Sequence, residues 1–248
     1  MLFNIYNNIY DNYTKNEIMY MTLIILFIAD LPLLLFTLLD ILQLKCLNKY
    51  RINYNINRQY PTTSEIIDGS IKSFKSFFGI IIPISFIGIS IGNYFEIYLY
   101  NMSRTLPNIF VCLFHIICIF IMSDILFYIF HRTMHIPILY RNIHKIHHKY
   151  KQTFALVNHY LHPVETIIFF FPAVIPPILL QSHIMIMWFC AIIMNWNGII
   201  IHSGYDFSIN IGNIQLPAIK EHDKHHMYFN YNYGAMIPFM DKLFGTYK

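Results

Sequence analysis

The chain has 248 residues, a size that suits one domain or one modest membrane protein. Charged residues make up 12% and hydrophobic residues 56%, with 22 Phe and 19 Tyr. A soluble domain carries about 25% charged residues. This composition therefore excludes a disordered chain, disfavours an ordinary soluble enzyme and points to a bilayer as second solvent. The net charge of +4 predicts no nucleic-acid partner.

The first twenty residues are polar, with Asp11 and Glu17, and lack the basic start and cleavage site of a secretory signal. A spanning helix needs about 20 mostly apolar residues. The first such run is Met19 to Leu42, with Asp30 and Pro32 inside it, and the second is Phe77 to Tyr100. The third is Leu106 to Phe130, containing His115 and Asp124. Val164 to Leu180 and Ile184 to Ile201 form a last pair. Pro172, Pro176 and Pro177 interrupt the fourth run, which reads as a kinked or re-entrant hairpin arm. The expected fold is all-α: four to five hydrophobic segments with a histidine-rich helical cap.

The basic residues set the sidedness. Lys45, Lys49, Arg51, Arg58, Lys72 and Lys75 lie between the first and second runs, and Arg132, Arg141, Lys145, Lys149 and Lys151 between the third and fourth. Lys220, Lys224, Lys242 and Lys248 follow the fifth, while only Lys15 and Arg104 fall on the other side. The positive-inside rule makes the populated side cytosolic. The same parity puts residues 131–162 and 202–226 on one face of the membrane. Cys46, Cys112, Cys118 and Cys190 form no disulfide framework.

Eight of the 13 histidines fall in three clusters: His131 and His135 (H-x3-H), then His144, His147 and His148, then His222, His225 and His226 (both H-x2-H-H). A single H-x2-H-H arises by chance roughly 0.03 times in a chain of this composition. Helical positions i, i+3 and i+4 share a face, so each cluster is expected to aim its imidazoles at one point. Neutral imidazole ligates iron, copper, zinc and nickel. Eight or more ligands are too many for one ion and suit two, each with open positions. An all-histidine pair of ions at a membrane surface argues for a metal that activates dioxygen, because a hydrocarbon substrate offers no handle for acid–base attack.

With these clusters in this order, the sequence resembles the fatty acid hydroxylase/sterol desaturase superfamily of membrane di-iron oxygenases. The likeness extends to Asp124–His135 (DILFYIFHRTMH), Leu139–His148 (LYRNIHKIHH), His162-Pro-Val-Glu165, His202-Ser-Gly-Tyr-Asp206-Phe207, Asn232-Tyr-Gly234 and Asp241–Thr246. It covers roughly residues 106 to 247, together with the basic stretch after the first run. The H-S-G-Y-D-F segment is similar to the branch that includes C-4 methylsterol oxidases and cholesterol 25-hydroxylases. The resemblance implies two iron ions (zinc can replace them in a purified sample), dioxygen as co-substrate, and a membrane lipid, a sterol, as substrate. It also implies electrons from a b-type cytochrome and a NAD(P)H reductase at the endoplasmic reticulum. It divides the chain into a polar segment (1–18), N-terminal membrane helices with a basic loop (19–105) and a catalytic region (106–248). The alternatives are a fatty acid or sphingolipid hydroxylase, a sterol C-5 desaturase and, outside enzymes, a metal transporter or sensor.

The expected metal ligands are His131, His135, His144, His147, His148, His202, His222, His225 and His226. His162, His159, Asp124, Glu165, Asp206 and Asp223 are candidates either to bind metal or to hold the second nitrogen of a ligand imidazole. His115 is expected to hydrogen-bond a neighbouring helix, and His183 to sit in a turn on the far side. No side chain is assigned as catalytic, the chemistry resting at the metal centre. No Gly-x-Gly-x-x-Gly fingerprint occurs, so the reductant is expected to be external.

Overall fold

A computed structural model describes residues 12–52, 60–94, 100–211 and 214–248. The polar residues 1–11, Arg58 and the 95–99 part of the second apolar run lie outside the described residues. Ten α-helices are described. A Thr14–Glu17 capping box starts α1 (Lys15–Ala29), and α2 (Leu31–Leu42) continues it beyond Asp30. The first apolar run is thus two helices. Pro32, which has no N–H to donate, occupies the first turn of α2, where that loss is tolerated. A second capping box, Thr62 with Glu65, starts α3 (Thr63–Ser76). A π-turn over Phe77–Ile81 carries α3 into α4 (Ile82–Tyr94). This helical run begins well before Phe77, the start expected from hydropathy, because the polar first turns of α3 lie on the protein rather than in the apolar zone.

α5 (Ile109–Met134) is followed by the short α6 (Pro137–Asn142) and by 3-10 turns over His144–Lys149 and Ala155–His159. α7 (Pro163–Leu179) stays helical through its three internal prolines, contrary to the break expected there. α8 is Ile184–His202, α9 Ile219–Tyr228 and α10 Phe239–Leu243. Between α8 and α9, β1 (Ile209–Ile211) and β2 (Ile214–Leu216) form an antiparallel hairpin that pairs Ile209 with Leu216. The all-α expectation holds apart from this hairpin.

Lys15–Leu42, Thr63–Ile91, Ile109–Met134 and Ile184–His202 are long and apolar enough to cross a bilayer, and α7 is a shorter apolar helix. Their outer faces carry bare apolar side chains, with Phe110 79% and Leu34 68% exposed. A lipid phase makes such a surface favourable. α5 packs on α7 and α8, and α1 packs on α8 and α4.

The two ends of the bundle differ. At one end the chain before α1 meets the segment before α5 and the α7–α8 turn. Tyr13 N–H donates to Met102 O (2.9 Å), Asn101 N–H to Ser182 O (3.0 Å) and His183 Nε2 to Ser103 O (2.7 Å). Arg104 pairs there with Glu17 at 2.8 Å. His115 Nδ1 lies 3.1 Å from Ser182 Oγ. The histidine clusters gather at the opposite end.

At that opposite end, residues 50–52 run beside 204–206. Ile52 N–H donates to Gly204 O (3.0 Å) and Asp206 N–H to Tyr50 O (2.6 Å). Arg51 Nη1 reaches Asp40 Oδ1 at 2.9 Å with both side chains buried, its guanidinium 4.4 Å above the Tyr205 ring. The H-S-G-Y-D-F segment is therefore a clasp between the chain that follows α2 and the end of α8.

Gly204 is the strictest position in the clasp. Its φ is +74°, and a Cβ added there would lie 2.7 Å from Thr153 O, a backbone atom with no freedom to swing aside. Gly245 has φ +66° but nothing within 4 Å of such a Cβ. Gly245→Ala should carry only the left-handed strain, about 1–2 kcal/mol. Gly204→Ala should lower the unfolding midpoint in detergent distinctly further; equal shifts would contradict this reading of the clasp.

Candidate metal centre

The nine histidines expected as ligands come from four places: the end of α5, the 144–149 turn, the end of α8, and α9. The structure sorts them into two groups of ligating atoms, each within 4.8 Å of one another: His131, His135, His144, His148 and His225, and His147, His202, His222 and His226. His135 is the most open of them and the other eight are buried.

His131 and His135 serve one point, as expected from their spacing, but the two H-x2-H-H clusters do not. His147 and His148 part company, and His225 leaves His222 and His226. The i, i+4 pairs (His144/His148, His222/His226) stay together while the residue between goes to the other group. Neighbours on a helix diverge by about 100°, and His148 sits at a kink with φ −80° and ψ 15°. Each H-x2-H-H stretch thereby straddles both groups and ties them together.

In the first group the Nε2 atoms of His135, His144, His148 and His225 make a closed loop with successive separations of 3.0, 3.0, 3.2 and 3.2 Å. A square with such edges has its corners about 2.2 Å from its centre, close to the metal–imidazole bond of about 2.0–2.1 Å known for zinc. His131 brings the fifth nitrogen. In the second group His202 Nε2 lies 3.3 Å from His147 Nε2 and 2.9 Å from His222 Nε2.

The other ring nitrogens bear on what these gaps can hold. His131 Nδ1 faces Tyr233 O at 2.7 Å, His225 Nδ1 faces Tyr231 O at 2.8 Å and His202 Nδ1 faces Gly198 O at 2.6 Å. A carbonyl only accepts, so in each ring Nδ1 carries the proton and Nε2 a bare lone pair. His144 Nδ1 is paired with the buried Glu165 Oε1. In each close Nε2–Nε2 contact at most one ring is fixed in this way, and if its neighbour donates from Nε2 that neighbour's Nδ1 is left bare, as the buried, unpartnered Nδ1 atoms of His147, His148 and His222 illustrate. His131 Nε2 and both nitrogens of His226 are buried without a protein partner, a costly arrangement that a bound ion relieves.

Burial also holds His144, His147, His148, His222, His225 and His226 well below the ordinary imidazole pKa, and lowers His135 to about 2. These rings are neutral at pH 7, the form that ligates metal. The donor set therefore fits two cations.

The remaining candidates are spread more widely. Glu165, fully buried, backs His144. Asp124 Oδ1 accepts from Met236 N–H at 3.0 Å, fixing the segment that follows Tyr233. Asp223 accepts from Thr153 Oγ1 at 2.8 Å. Asp206 pairs with Lys220 at 2.7 Å, apart from both histidine groups. His162 caps α7, its Nδ1 accepting from Val164 N–H at 3.2 Å. His159 Nε2 donates to Asp30 Oδ1 at 2.9 Å. Residue-type patterns did not reveal the carbonyls of Gly198, Tyr231 and Tyr233, because any residue supplies a carbonyl. Asp30 and Asn195 carried a readable signal: polar side chains inside apolar runs.

A cavity of about 250 Å³ lies between α1, α5, α7 and α8, walled by apolar side chains such as Phe127, Phe169 and Met194. His131 of the first group and His147, His202 and His222 of the second line it. The four-histidine group therefore faces the cavity with most of its ligands, and the five-histidine group with one.

The sequence profile of the fatty acid hydroxylase family matches residues 116–246. Rat methylsterol monooxygenase 1 is 29% identical over 249 residues, covering 95% of this chain and 80% of the relative. A Dictyostelium discoideum protein provisionally named a methylsterol monooxygenase is 37% identical over 144 residues, covering 57% of this chain and about half (54%) of the relative. A rice protein named very-long-chain aldehyde decarbonylase GL1-11 is 32% identical over 152 residues, covering 59% of this chain and 57% of the relative. No solved structure gives a significant match. With its two histidine groups inside the matched region, the chain belongs to the fatty acid hydroxylase family.

Proposed function

We propose that this protein is a membrane-bound di-iron monooxygenase that hydroxylates an unactivated C–H bond of a sterol, as the names of the rat and Dictyostelium relatives suggest. One observation carries the reading: two all-histidine groups open onto a single apolar cavity inside a bundle of apolar helices. A lipid can enter such a cavity from the bilayer.

The first ion falls to His131, His135, His144, His148 and His225, and the second to His147, His202, His222 and His226. Bound iron supplies the redox chemistry by which dioxygen, two electrons and two protons convert R–H to R–OH and water. The chain's own residues do the rest. The carbonyls of Gly198, Tyr231 and Tyr233, with Glu165, fix the rings and their tautomers. The aromatic walls exclude water and hold the hydrocarbon against the four-histidine group, whose smaller donor set leaves more room for a reactant. Without a nucleotide fingerprint in the sequence, electrons come from outside, from a b-type cytochrome and its NAD(P)H reductase. The histidine end then faces the cytosol of the endoplasmic reticulum membrane, in keeping with its share of basic residues. A transporter would need ligands spaced along the depth of the bundle, whereas both groups sit at one end.

Expression in cells lacking C-4 methylsterol oxidase tests the reading. The wild type should restore oxidised C-4 methylsterols and His147→Ala should not. An unchanged sterol profile with altered acyl chains or aldehydes would overturn the sterol assignment. Metal content tests the ligand set. Glu165→Ala should weaken metal retention about 10–100-fold, the usual effect of losing an acceptor behind a ligand histidine. His162→Ala should leave it unchanged; equal losses in the two variants would contradict the assignment.

A further inference from the structure

Outside the two histidine groups, the cavity wall carries several polar side chains, of which Asp30, His159 and Asn195 are joined by hydrogen bonds. Asp30 lies at the break between α1 and α2, inside an apolar run. Its Oδ1 accepts from His159 Nε2 at 2.9 Å and from Asn195 Nδ2 at 2.9 Å, and the same amide donates to Ala29 O at 2.8 Å. Asp30, His159 and Asn195 all line the cavity.

Asp30 Oδ2 accepts from no group among the described residues, and the carboxylate retains 17% exposure. Asp30 lines a largely apolar cavity, where a carboxylate oxygen without a donor is costly. A ligand group that donates a hydrogen bond removes that cost. Asn195 and His202 stand seven residues apart on α8, two turns along the same face and about 10 Å along the axis. The carboxylate and the four-histidine group thus look into one space from neighbouring stations.

We propose that Asp30, oriented by His159 and Asn195, is the anchor for the hydroxyl group of the lipid substrate. The hydroxyl donates to Oδ2, and the adjoining carbon skeleton lies toward His147, His202 and His222. A site built to pair a hydroxyl rejects a ligand that lacks the donor, because its own polar atom is then left unpaired. The anchor thereby selects a sterol over a bare acyl chain. This rests on the sterol reading above and adds the residue that enforces it.

The test is equilibrium binding of a 4-methylsterol and of its 3-keto counterpart to the full-length, metal-loaded protein in nanodiscs, with no reductant present. The ketone accepts hydrogen bonds but cannot donate. The wild type should hold the 3-hydroxy ligand about tenfold or more tightly than the ketone, the effect of one hydrogen bond to a charged group. Asp30→Asn keeps an oxygen for His159 and Asn195 and presents an amide donor to the cavity. It should level or reverse the preference while metal content stays the same. A purely structural Asp30 would leave the preference where it was, and that result overturns the proposal. The wild-type comparison stands even if the variant fails to fold: equal affinity for the two ligands overturns the anchor alone, and binding of neither overturns the sterol reading with it.

Discussion

Everything at the histidine end follows from nine imidazoles gathered in a buried space that offers them too few partners. Three rings lose the freedom to choose a tautomer because a backbone carbonyl claims the Nδ1 proton, and Glu165 constrains a fourth. The Nε2 atoms of His144, His202 and His225 then lie about 3 Å from those of neighbouring rings in a nearly dry setting, and His131 Nε2 is buried with no partner. Such an arrangement is unfavourable for the bare polypeptide and favourable around a cation. The same burial that makes protonation costly makes metal binding the natural way to satisfy these nitrogens.

The scaffold holds this convergence by tying distant stretches to one another. The two H-x2-H-H stretches each send residues to both groups, so neither group can shift alone. The Tyr50–Ile52 strip beside Gly204–Asp206, reinforced by Arg51, Asp40 and Tyr205, fastens the chain after α2 to the end of α8, where His202 sits. Asp124 and Asp241 perform a similar task further along. They accept backbone N–H groups from residues 233, 234 and 236 and thereby aim the Tyr233 carbonyl at His131. Acidic residues near the clusters thus act on backbone geometry more than on the imidazoles, Glu165 excepted.

Much of this was legible in the sequence because the chemistry is carried by a rare residue in a distinctive rhythm. The nine histidines that converge are the nine singled out by their spacing and by the position of His202 at the end of an apolar run. The apolar runs located the bundle. What escaped depended on three-dimensional neighbours. The division of each H-x2-H-H cluster between two groups turns on the kink at His148 and the helical phase of His225. The persistence of α7 through Pro172, Pro176 and Pro177 depends on packing against α5 and α8. The break at Asp30 places a carboxylate in the cavity, which hydropathy registers only as an interruption.

The most direct measurement is anomalous X-ray scattering at the iron edge from crystals of the full-length protein purified with its native metal. Two peaks are expected, one enclosed by His131, His135, His144, His148 and His225 and the other by His147, His202, His222 and His226. A single peak, or peaks away from these nitrogens, would contradict a paired-cation centre.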